Sequence, residues 1–148
     1  MTARGRKGTG VSRRGALGGL AAISAAVLGA CDRGGLEARL NDAVGGVDGV
    51  TSSALEEVSR DLGAGGVAGV IETDAAGAAA VVPVFDAAME QLVRVLIDER
   101  AEPGRYLLDT VSACAMDGSI VPAHELAEGF ASTDELRAAT FIEKYGLA

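Results

Sequence analysis

Nearly a third of this chain has no side chain larger than a methyl group: 28 of its 148 residues are alanine and 21 are glycine. Only three Phe, two Tyr and no Trp stand against them. A chain of this length holds one ordinary domain. With 49% apolar residues it can bury a core, but that core must be modest and built from Val, Leu and Ala. The scarcity of rings excludes a nucleic-acid reader that works by stacking bases on aromatic side chains.

Charge is segregated along the chain. Of 13 basic residues, Arg4, Arg6, Lys7, Arg13 and Arg14 fall in the first 30 positions, where there is no acid. The remaining 118 residues carry 8 basic and 21 acidic groups, a net charge of −13. So acidic a surface repels phosphate backbones and anionic headgroups, which disfavours DNA, RNA and charge-driven membrane binding. Its simplest role is solvation; a cation-collecting face is the alternative. No D-x-D-x-D-G run for calcium is present.

Met1 to Arg14 is a basic leader, and Gly15 to Ala30 follows as an uncharged, mostly apolar stretch. Sixteen residues fall short of the roughly 20 that a stable membrane-spanning helix needs, but they suit a signal h-region. The stretch ends in Leu28-Gly29-Ala30-Cys31. This resembles the lipobox of bacterial lipoproteins. The resemblance implies diacylglyceryl transfer to the Cys31 thiol and cleavage between Ala30 and Cys31. Ser12-Arg13-Arg14 with Leu17 is similar to the twin-arginine export motif, although Ala16 and Gly18 stand where that motif has Phe and Lys. General secretion is the alternative route. A Gly/Ala/Val-rich acidic domain behind such a signal resembles the small lipoproteins of actinobacteria. The resemblance implies an anchor in the lipid bilayer through acylated Cys31, a location on the extracytoplasmic face of the cell membrane, and a protein partner in the envelope.

The expected organisation is therefore a signal peptide over 1–30, a lipidated cysteine and tether over 31–35, an α+β domain over 36–125 and a C-terminal helical segment over 126–148. Leu36, Leu40, Val44 and Val47 recur at helical spacing. Val50 to Ser59 has two readings: a strand, or a helix over 53–62 opened by the capping box Ser53-x-x-Glu56. Val67 to Thr73 reads as a strand. Pro83 suits the first turn of a helix over 82–99, whose stripe is Val84, Phe85, Ala88, Leu92, Val95 and Leu96. Tyr106 to Met116 and Ser119 to Ala123 read as strands joined at Asp117-Gly118. A last helix is expected from Asp134, capped by Ser132 or Thr133, to Tyr145, ending at Gly146.

Aligning the halves, helix on helix and Gly49 on Gly104, suggests two αββ units. That arrangement predicts a ferredoxin-like sandwich: a four-stranded antiparallel sheet with two helices on one face. If 53–62 is a helix instead, three strands remain.

No catalytic constellation is expected. Gly63 to Ala68 fits G-x-G-x-x-A, but a strand pattern follows it where a phosphate cradle needs a helix. Cys114, left without a partner once Cys31 is lipidated, reads as a small hydrophobe. His124 is the only histidine, so a Cys-His pair or a His-Glu125 metal site has little behind it. Glu56-Glu57 and Asp98-Glu99 are adjacent acids of the kind found on solvated faces. The expectation is a non-catalytic binding or interaction module without cofactor or metal. The alternative is a small metal-handling (calcium-type) or enzymatic envelope protein using surface carboxylates.

Overall fold

The computed structural model describes residues 35–60 and 63–147. The residues of the export reading, Ser12, Arg13, Arg14, Leu17, Leu28, Gly29, Ala30 and Cys31, lie outside them.

Helix α1 (Gly35–Gly45) buries Leu36, Leu40 and Val44, three positions spaced by one turn. Val50–Ser59 is strand β1, so the repeat argument holds over the capping box. Strand β2 (Gly65–Thr73) returns beside it, helix α2 (Ala78–Glu99) crosses over, and strands β3 (Leu107–Cys114) and β4 (Ile120–Pro122) form a second hairpin. Helix α3 (Ala138–Tyr145) closes the described chain and stops at Gly146, whose φ of 63° is left-handed.

The fold is α+β, with a four-stranded sheet in the order β1-β2-β3-β4. The expected all-antiparallel pairing is corrected at its centre. β1–β2 and β3–β4 are antiparallel, but β2 and β3 run parallel. The reason is the connection. Strands joined by a tight turn must reverse, whereas a helical crossover carries the chain back to the starting end, so the next strand runs the same way. Two αββ units set side by side therefore meet along a parallel seam.

Residues on one face of the sheet are buried: Leu55, Val67, Ile71, Val111, Ala113 and Val121. Their alternates Ala54, Glu56, Val70, Glu72, Thr110 and Ile120 are exposed, so the other face lies open. Helix α2 dominates the covered side. Val81, Phe85, Ala88, Met89, Leu92, Val93 and Leu96 are fully buried, in one cluster with Leu40, Val44, Leu136 and Phe141. Leu136 and Phe141 thus put the chain beyond residue 126 into the same core as the sheet. No helix among the described residues is long and apolar enough to cross a membrane.

Two boundaries differ from expectation. Helix α2 begins at Ala78, so Pro83 sits inside it rather than in its first turn. The strong helix formers Ala78, Ala79 and Ala80 extend the helix backwards, at the expense of one backbone bond at the proline. Helix α3 begins at Ala138, not Asp134. The Leu136 carbonyl accepts from the Leu108 N–H (2.7 Å), the Ala138 N–H donates to the Tyr106 carbonyl (2.8 Å), and Arg137 bridges Leu107. Backbone committed to extending the sheet cannot also turn into a helix.

The β1 edge is sealed by α1. The Asn41 side-chain amide accepts from the Leu55 N–H (2.9 Å) and donates to the Leu55 carbonyl (2.8 Å), as a neighbouring strand would. Glu37 accepts the next outward N–H, that of Glu57 (3.1 Å). These bonds occupy the outward groups of Leu55 and Glu57, so another strand cannot pair with β1 at those positions. At the opposite edge Pro122 has no N–H to offer.

Candidate functional site

Strand alternation separates the adjacent acids. Glu56 points from the open face, while Glu57 meets Arg100 and Tyr106 at the C-terminal end of α2. Tyr106 donates to Glu57 Oε1 (2.6 Å), and Arg100 Nε donates to the Tyr106 hydroxyl oxygen (2.7 Å). Arg100 Nη2 reaches both Glu57 oxygens (3.0 and 2.9 Å), and the guanidinium stands over the Tyr106 ring at 5.9 Å. The Tyr106 hydrogen bond, reinforced by Arg100, holds the Glu57 carboxyl below its ordinary range against the effect of burial. Burial, with Glu57 alongside, pushes the Tyr106 phenol up.

These groups border a depression of about 500 Å³ that Gly65 and Arg105 also line. Gly65 leaves room for the Tyr106 ring, because a Cβ there would lie 2.7 Å from it and the ring would have to shift. Arg105 is held by Glu102 at 2.8 Å. Each charge in this cluster already faces its opposite, so the cluster clasps β1, β3 and the end of α2 together and presents no spare reactive group.

Tyr106→Phe tests the clasp. Glu57 has a folded pKa below its unfolded one, so its contribution is present above the carboxylate range and fades as pH falls through the folded value. The phenylalanine variant should lose stability at about pH 7 and approach the wild type at about pH 3, read by urea unfolding. An equal difference at both pH values would separate the loss from Glu57.

A second surface lies toward the other end of α2. Helices α1 and α2 are antiparallel: Arg39 of α1 pairs with Glu99, while Gly49, beyond α1, packs on Val84. Val82 is therefore 17 residues from Glu99, or about 25 Å along the helix axis. Around Val82 two depressions of about 700 and 370 Å³ adjoin, sharing Val82 and Glu125. Their apolar floor is Val82 and Leu126, continued by Ile120 and Pro122 on β4. Val82 is 37% and Ile120 67% exposed.

The rim is acidic, with Asp86, Glu125, Glu128 and Glu143. Its one cation is Lys144, whose Nζ donates to Asp86 Oδ1 (2.6 Å) and to the Leu126 carbonyl (2.8 Å). Tyr145 also donates to Asp86 (2.7 Å), and burial pushes its phenol far above the ordinary value. Among the described residues, Glu125, Glu128 and Glu143 make no ion pair. No three His, Cys, Asp or Glu among those residues converge as a metal-binding group.

The remaining sequence candidates do not assemble into a site. Cys114 lies in β3 on the open face, half-buried, with Sγ 3.5 Å from the Ala115 carbonyl oxygen. His124 is buried in the 3-10 turn Ala123–Leu126 and bonds through Nε2 to the Asp134 carbonyl (2.9 Å), tying down the 131–134 loop. Gly63 belongs to the β1–β2 connection, and Gly65 and Gly66 open β2. Neither Glu57–Arg100–Tyr106 nor the Val82 groove was visible in the sequence, because partners such as Glu57 and Tyr106 are 49 positions apart. Comparison with protein-family models, curated proteins and solved structures finds no match for this chain.

Proposed function

We propose that this chain is a lipid-anchored, extracytoplasmic binding module of a bacterial cell membrane that works without catalysis. Leu28-Gly29-Ala30-Cys31, behind the uncharged stretch Gly15 to Ala30 and Arg13-Arg14, supports the anchor. The observation that carries the binding role is the Val82 groove, in which exposed Val82 and buried Leu126 lie inside an acidic rim.

Cys31→Ser tests the anchor. It should abolish incorporation of labelled fatty acid and leave an uncleaved precursor; acylation and processing equal to wild type would end the lipoprotein reading. Replacing Arg13 and Arg14 together by lysine should block twin-arginine export. That route reads the guanidinium pair, whereas general secretion needs only positive charge before an apolar stretch. Undiminished export of the double-lysine variant would assign the general route.

A further inference from the structure

We propose that the Val82 groove docks a cationic, amphipathic polypeptide segment. Its apolar side chains would rest on Val82 and Leu126, and its Lys or Arg heads would meet Glu125, Glu128 and Glu143. The inference rests on the binding-module reading and names the partner's chemistry.

Charge complementarity selects the occupant. Asp86, Glu125, Glu128, Glu143 and Lys144 leave the rim at −3, and Lys144 is already committed to Asp86 and the Leu126 carbonyl. An anionic headgroup would meet three uncompensated carboxylates. A second copy would bring another acidic domain, since residues 31–148 carry −13. A single metal ion needs converging ligands, and the carboxylates here do not form such a group. Carboxylates distributed around an apolar floor suit several cationic heads spaced along one chain, each with an apolar neighbour to bury. The combination gives affinity through the buried apolar groups and partner choice through the rim.

The probe is a fluorescein-labelled peptide of about ten residues alternating Lys and Leu. It is titrated against the full chain in neutral detergent, with detergent alone subtracted and binding followed by anisotropy. Saturable one-to-one binding is expected. The triple variant Glu125→Gln, Glu128→Gln, Glu143→Gln should weaken it about tenfold or more, as should Val82→Ser alone. A control neutralising Glu56, Glu72 and Asp98, which are exposed outside the groove, should bind like wild type. The proposal is overturned by non-saturating binding, by equal loss in the control, or by equally tight binding of a peptide alternating Lys and Ser. Fatty-acid labelling of the same preparation keeps the two readings apart. An acylated chain that fails to bind sinks the groove alone, and a binding chain that is never acylated sinks the anchor alone.

Discussion

Gly69→Ala is expected to destabilise the domain by about 3 kcal/mol or more, the largest effect of a single methyl group anywhere in the sheet. Gly69 sits in β2 opposite Leu55 of β1 and Val111 of β3, with φ at +142°. A Cβ built there would lie 2.0 Å from the Ala54 carbonyl oxygen, 2.9 Å from its carbon and 3.0 Å from the Leu55 Cα. These are backbone atoms, so no side chain can swing aside to make room. Alanine in this conformation, which L residues rarely adopt, must also push β1 away from β2, weakening the ladder on both sides of Leu55. Urea unfolding of the wild type and variant measures the loss. A variant within about 1 kcal/mol of wild type would mean that β1 is not paired in this register.

Leu92→Ala should cost about 2–5 kcal/mol, a large share of the stability of a domain this size. Leu92 is fully buried in the middle of α2, one turn from Ala88 and Leu96, and its stripe faces the covered side of the sheet. About half of the core is Ala and Val, short side chains with little reach into the space a lost isobutyl group would leave. The cavity term therefore adds to the lost transfer energy instead of relaxing away. An exposed alanine substitution on the same helix, Arg94→Ala, should stay within about 0.5 kcal/mol. Equal stability of Leu92→Ala and wild type would contradict the placement of α2.

The contrast between what could be read from the sequence and what could not follows the range of the forces involved. The α2 stripe was legible because apolar residues at helical spacing need only one covered side to become a core, and Leu92 and Leu96 are buried as expected. The Asp117-Gly118 turn was legible because Gly118 supplies the positive φ of 85° that a tight reversal requires. The choice of strand over helix for β1 came from the internal repeat, since Ser53 and Glu56 satisfy a capping pattern locally. The structure spends Ser53 instead on Asn41, donating to its Oδ1 at 2.8 Å. Asn41 itself gave no sign in the sequence of closing a sheet edge, because its partner Leu55 is 14 residues away and the match is one of geometry.

The local pattern of the chain determined its elements: an amphipathic helix, two hairpins and a long second helix, because backbone propensity and side-chain periodicity act within a few residues. It also set the balance of charge, a net −13 over residues 31–148. The tertiary structure alone decided that β3 lies beside β2, that residues 136–138 join the sheet before α3 can start, that Glu57 finds Arg100 and Tyr106, and that Val82 lies exposed among Glu125, Glu128 and Glu143. Each of these depends on segments tens of residues apart competing for the same backbone donors, the same charges or the same cover. Such competition is settled by packing in three dimensions and leaves no local trace.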